Sequence, residues 1–167
     1  MNTQEILSKD DAFDYPNNGA LFEGVLSRRL MAFLIDLVIL SVIVVVTTFA
    51  LVLLGIPTLG LLWLVLPAIM GPLFIAIVIG YVAFTTGGEK AATPGMSALG
   101  LEVRMMDGRK LYALMAIFHG LAFYFFVTIL TPFIVLIGLF TSRRRLLHDF
   151  VSGAVVVNKD AIPKHLK

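Results

Sequence analysis

The sequence predicts an all-α integral membrane protein. It has two full transmembrane helices, a third apolar tract folded as a short helical hairpin (three to four membrane segments), and a small cytoplasmic β-hairpin or sheet. Three observations lead there. The 167 residues are 59% hydrophobic and only 14% charged, where a soluble domain carries about a quarter charged residues. No Asp, Glu, Lys or Arg occurs from Leu37 to Thr86, and from Leu111 to Ser142 the one readily ionisable side chain is His119. A helix of about 20 apolar residues crosses a hydrocarbon core of about 30 Å, and both tracts are longer than that. Cysteine is absent, which excludes disulfides, a thiol nucleophile and Cys-ligated metal. The net charge of +2 is too small to point to nucleic acid, so the basic residues matter through their placement.

Residues 1–23 form a polar, acidic stretch carrying Glu5, Asp10, Asp11 and Asp14. It lacks the basic start, short apolar run and cleavage site of a secretory signal, and its composition predicts a disordered cytoplasmic tail. The first span follows Arg28-Arg29 and runs from about Leu30 to Leu54, ending at the uncharged turn Gly55-Ile56-Pro57-Thr58. The second covers about Leu59 to Phe84 as one kinked helix, because Pro67 and Pro72 each remove a backbone donor. Trp63 and Tyr81 suit its two interfaces.

Between Thr85 and Lys110 the chain turns polar. Thr93-Pro94-Gly95 marks a turn, Leu101-Glu102-Val103-Arg104 alternates like a half-buried strand, and Asp107-Gly108 is a hairpin signal. Ala154-Val155-Val156-Val157 is a further strand, able to join a small sheet if loop and C-terminus share one side of the bilayer. The third tract, about Leu111 to Phe140, would measure about 45 Å as one helix, too long without steep tilt. A hairpin turning near Thr131-Pro132 instead places Arg143, Arg144 and Arg145 on the cytoplasmic side, with Arg28, Arg29, Lys90, Arg104, Arg109 and Lys110. Residues 159–167 close the chain as a polar tail.

Asp36 is the most informative residue. It lies about two turns inside the first span, where a carboxylate costs roughly 3 kcal/mol unless paired, hydrated or protonated. Arg29 falls on nearly the same helix face, but side chains lean toward the helix N-terminus, so the two do not bond directly. The partner of Asp36 is then a water, another helix or a second subunit, and its role is a packing anchor, ion or proton passage, or snorkelling toward the interface. His119 is a proton shuttle or a neutral interhelical hydrogen-bonding group. Arg143-Arg144-Arg145 sets topology and contacts anionic headgroups. His148-Asp149 follows, with Arg145 spaced to pair with Asp149 on a helix. No nucleophile motif surrounds Ser142 or Ser152, no Walker loop is present, and the three histidines show no metal-ligand spacing. Enzymatic activity, a cofactor and a metal site are therefore not expected.

These residues fall into a family order. Arg29-Leu30-Met31-Ala32-Phe33-Leu34-Ile35-Asp36, then Thr93-Pro94-Gly95, Leu99-Gly100-Leu101-Glu102-Val103 and Asp107-Gly108, then Arg144-Arg145-Leu146-Leu147-His148-Asp149 and Gly153-Ala154-Val155-Val156-Val157, resemble the bacterial RDD family, named for an arginine and two aspartates. The resemblance covers about Gly24 to Asn158 and makes residues 24–158 one RDD-like transmembrane domain. It implies that Arg29, Asp36 and Asp149 are the family's three charges. Met96 stands where many members carry lysine, and His119 where many carry arginine. The resemblance implies transport of a ligand, with sodium/proton exchange ascribed to some relatives.

The expectation is a multi-pass protein of the bacterial inner membrane with both termini cytoplasmic. It would transport an ion or small solute, with cation/proton exchange as the form considered, and would work as a homo-oligomer because four short helices enclose little space. Arg29, Asp36 and Asp149 are the candidate functional charges, with His119, Arg145 and His148 secondary. The alternative is a structural or accessory subunit that assembles with another membrane protein.

Overall fold

The structure is a computed structural model and describes residues 19–106, 108–130 and 133–162. The acidic tail through Asp14, Asp107 of the predicted hairpin and the predicted turn at Thr131-Pro132 lie outside the described residues. Two long helices dominate, α1 (Val25–Leu54) and α2 (Leu61–Thr86). Both are long and apolar enough to cross a membrane. The short helix α3 (Pro94–Ala98), strand β1 (Leu101–Met105), helices α4 (Ala113–Leu130), α5 (Phe133–Phe140) and α6 (Leu147–Ser152), and strand β2 (Ala154–Asn158) follow.

In α1 the buried residues are Val25, Arg29, Ala32, Asp36 and Leu40, a single stripe at helical spacing. The turn after α1 is held by the Trp63 indole, which donates to the Val52 carbonyl at 3.0 Å. α2 runs unbroken through Pro67 and Pro72, which an apolar surrounding tolerates better than water does. α4 packs on α2 at Gly120, where a Cβ would stand 2.5 Å from Val82 Cγ1. Only glycine permits that approach.

β1 and β2 pair antiparallel, with Leu101 opposite Asn158 and Met105 opposite Ala154. This pairing puts the two ends of the third tract on one side of the molecule, as a returning tract requires. An isolated two-stranded sheet is marginal, and here both faces are covered. Val155 and Val157 pack with Leu21, Phe22 and Ile162, while Ala154, Val156, Leu101 and Val103 pack with Val25, Leu111 and Ala116. Burial on both faces explains why β2 reads as a continuous apolar run. Arg28 donates to the Asn158 side chain at 3.1 Å, and Asn158 donates to the carbonyls of Ala20 and Glu23, both at 2.9 Å. These bonds seat the start of α1 on the end of the sheet.

Several expectations need correction. The first helix begins at Val25 and not near Leu30, because its first turn packs on the sheet. Leu21 and Phe22, assigned to the tail, are buried, as is Ile162; their apolar side chains cover a sheet face that would otherwise meet solvent. The main partner of β1 is β2, and of the expected hairpin the described residues show one bridge, Arg104 with Lys110. Tyr81 is not an interfacial anchor, since its hydroxyl is committed to Asp36 at 2.6 Å.

Candidate functional site

Two buried polar centres sit where α1 meets the sheet end of the molecule. The first is built on Asp36, whose carboxylate accepts three hydrogen bonds. Oδ1 takes the Tyr81 hydroxyl at 2.6 Å and the Gly95 backbone N–H at 2.8 Å, and Oδ2 takes the Thr93 hydroxyl at 2.5 Å. Each residue of Thr93-Pro94-Gly95 has a reason. Thr93 caps α3 by accepting from the Met96 N–H at 3.2 Å, while Pro94 occupies the first helical turn, where a missing donor costs nothing. Gly95 lets backbone meet backbone, since a Cβ there would stand 2.3 Å from the Ala32 carbonyl and 2.9 Å from Asp36 Oδ1. The result is a latch joining α1, α2 and the segment that opens α3.

The second centre is built on Asp149, which is fully buried. Arg29 grips it from about two turns before Asp36, donating Nη1 to Oδ2 at 2.5 Å and Nη2 to Oδ1 at 2.9 Å. Asp149 also reaches back to cap its own helix, accepting the Leu146 N–H on Oδ2 at 2.8 Å. Two imidazoles complete the cluster. His148 Nε2 lies 3.1 Å from Arg29 Nη2 and 3.2 Å from Asp149 Oδ1, and His119 Nε2 lies 3.7 Å from the same Oδ1. The rings stand edge to face at 4.9 Å, with Phe123 packed on His148 at 5.0 Å. His119 Nδ1 is 2.8 Å from Ser152 Oγ, whose hydroxyl donates to the His148 carbonyl at 2.7 Å.

The electrostatics follow from these neighbours. Burial alone would raise the Asp149 carboxyl, yet the Arg29 guanidinium and then His148 hold it well below the usual carboxylate range. Burial pushes the His148 imidazole below its ordinary value, and Asp149 offsets only part of that. Asp149 is therefore a carboxylate at neutral pH, paired with a bidentate guanidinium.

The structure brings together Arg29, Asp149, His148 and His119, and holds Asp36 in a separate network. Arg145 does not pair with the Asp149 carboxylate. It precedes α6, donates to the backbone carbonyls of Ala154 at 3.1 Å and Asp149 at 2.8 Å, and stacks over Phe150 at 4.1 Å. The expected helical Arg145–Asp149 pair fails because α6 starts only at Leu147. Of its neighbours, Arg144 donates to the Leu139 carbonyl at 3.1 Å. Sequence reasoning missed Tyr81, Thr93 and Gly95 as partners of Asp36, and Ser152 as partner of His119. It also found no metal-ligand spacing, whereas folding gathers ligand atoms of His119, His148 and Asp149 within 4.8 Å of one another.

An apolar helical protein with two buried polar centres, tied to a small sheet by an arginine and two aspartates, defines a class of membrane domain. The RDD family model matches residues 24–153, and the chain belongs to that family. No curated protein and no solved structure matches it.

Proposed function

We propose that the chain is an inner-membrane carrier that exchanges a cation or small solute against protons, with its sheet end in the cytoplasm. The observation that carries this reading is the cluster of Arg29, Asp149, His148 and His119, all buried where α1 and α4 meet the closing helix α6. Ionisable groups at such positions in membrane proteins are rare and mark ion and proton paths. The Arg29–Asp149 pair alone would serve as a structural tie. Two imidazoles beside it add groups able to take up and release a proton, which packing does not require. Asp36 adds a second buried carboxylate, held by the hydroxyls of Tyr81 and Thr93.

Sidedness in this reading rests on Arg28, Arg29, Lys90, Arg104, Arg109, Lys110 and Arg143–Arg145 gathering at the sheet end. The third tract then enters and returns, giving four segments. One copy encloses little space, so the path forms between copies of a homo-oligomer, with Arg143 and Arg144 at the rim toward anionic lipid. Proteoliposomes loaded with a pH-sensitive dye provide the test. Addition of sodium or potassium dissipates an imposed pH gradient in wild-type vesicles and much less in Asp149→Asn or His119→Gln vesicles. Dissipation equal to that of protein-free vesicles ends the transport reading.

A second reading, an accessory subunit bound to another membrane protein, is favoured by one specific feature. Residues 41–54 of α1 and 61–77 of α2 contribute no buried side chain, so the chain leaves this apolar surface uncovered. Stoichiometric recovery of one membrane partner from mild detergent, without flux, supports this reading against transport.

A further inference from the structure

We propose that His119, His148 and Asp149 bind a divalent transition-metal ion of zinc-like chemistry, in a seat that the Arg29 guanidinium shares. Four ligands around zinc, with metal–ligand bonds of about 2.0–2.1 Å, stand about 3.3 Å from one another in tetrahedral geometry. His148 Nε2 and His119 Nε2 lie 3.2 and 3.7 Å from Asp149 Oδ1, and the ligand atoms of all three residues fall within 4.8 Å of one another.

The Ser152 hydroxyl has one proton, and it donates that proton to the His148 carbonyl at 2.7 Å. Its oxygen therefore accepts from His119 Nδ1 at 2.8 Å. A neutral imidazole carries one N–H, so His119 Nε2 presents a lone pair toward the Asp149 carboxylate. A lone pair facing an anion calls for a cation between them. His148 Nε2 lies between Arg29 Nη2 at 3.1 Å and Asp149 Oδ1 at 3.2 Å; in the tautomer that accepts from the guanidinium, its proton sits on Nδ1. That Nδ1 is buried without a hydrogen-bond partner among the described residues. In that tautomer two imidazole lone pairs and a carboxylate oxygen converge, and Arg29 Nη2 is the positive group that meets His148 and Asp149 there.

The supporting groups are those a metal site uses. Ser152 fixes the ring of His119 through its other nitrogen, and Asp149 Oδ2 is held by Arg29 Nη1 at 2.5 Å and the Leu146 N–H at 2.8 Å, as outer partners hold ligating carboxylates. A metal on Oδ1 displaces only Nη2 and leaves the rest of the grip in place. Three protein ligands leave a fourth position open for water or an exchanging ligand. The guanidinium charge opposes the ion, so binding is weaker than in closed structural sites and tightens when Arg29 is neutralised.

The site does not rest on the transport reading, because binding is measured without flux. The full chain is purified in mild detergent with any affinity tag removed and titrated with Co²⁺, following the visible absorption of a tetrahedral centre and its displacement by Zn²⁺. One displaceable equivalent per chain is expected. His119→Gln, which keeps the Arg29–Asp149 pair, and His148→Gln weaken binding at least about tenfold, whereas His165→Gln in the C-terminal tail leaves it unchanged. Arg29→Gln, where it folds, binds more tightly. No displaceable signal in monodisperse wild type, or equal binding in wild type and His119→Gln, overturns the proposal.

Discussion

The two ends of this molecule are held together by different physics. At the sheet end, α1 buries a stripe from Val25 to Leu40, α2 buries Val78, Val82 and Thr86, and both polar centres and both apolar clusters lie there. At the far end, residues 41–54 and 61–77 bury nothing, and Leu59 in the connecting turn is 98% exposed. Lipid or another protein must cover that surface. The contrast teaches that the fold is specified at one end, by directional bonds among charged and polar groups, while the other end needs only to be apolar and helical.

That contrast predicts a ranking of substitutions. The largest loss falls on Arg29→Ala and Asp149→Ala, each leaving one buried charge without its partner. Removing one member of such a pair costs about 3–5 kcal/mol, and thermal unfolding in detergent should register it for both variants. Survival of either variant at wild-type stability would break the comparison at its strongest point.

A smaller effect is expected at the latch. Gly95→Ala forces a Cβ against the Ala32 carbonyl and Asp36, and overpacking of this kind costs about 1–3 kcal/mol. Asp36→Asn should be milder than Asp36→Leu, because the amide oxygen still accepts from Tyr81 and Gly95 whereas leucine leaves three donors unpaired. Equal melting of the Asn and Leu variants would show that the carboxylate's bonds contribute little.

Acidification gives a third, more gradual test. The folded pKa of His148 is depressed, with Arg29, Asp149 and His119 packed around it. The unfolded imidazole, at about 6.5, therefore takes up its proton first. Stability is full above that value and declines as pH falls below it. Asp149 acts at lower pH: its depressed carboxyl contributes stability above about 3.9 that is lost only on further acidification. Melting midpoints between pH 8 and 5 should fall in wild type and fall less in His148→Gln. The smallest effect belongs to the far end, where Val45→Leu or Val46→Leu should stay within about 0.5 kcal/mol.

Much of this ranking was legible in the sequence, for a simple reason. A charge inside a hydrocarbon-length apolar run is costly, so Asp36 announces itself, and Arg29 and Asp149 stand out at the run boundaries. Which groups satisfy them was not legible. Tyr81 carries an apolar body and a polar tip, so an interfacial reading and an inward bond fit its sequence context equally well. His119 and His148 lie on different helices, and their meeting depends on how α4 packs against α6, which no local spacing rule encodes. The strands at 101–105 and 154–158 were readable from β-branched and alternating residues. Their mutual pairing joins segments far apart in the chain, which no local pattern encodes. Leu21 and Phe22 were hidden by the acidic stretch before them, although their side chains cover one face of the sheet.

Arg29 and Asp149 form one unit, tying the first helix to the closing segment. A double-mutant cycle of Arg29→Met and Asp149→Leu, read by unfolding in detergent, tests it most directly. The account predicts two strongly destabilised single variants and a double variant more stable than either, because replacing a whole buried pair by apolar groups is tolerated where breaking it is not. Additive losses, with the double variant the least stable of the three, would contradict it.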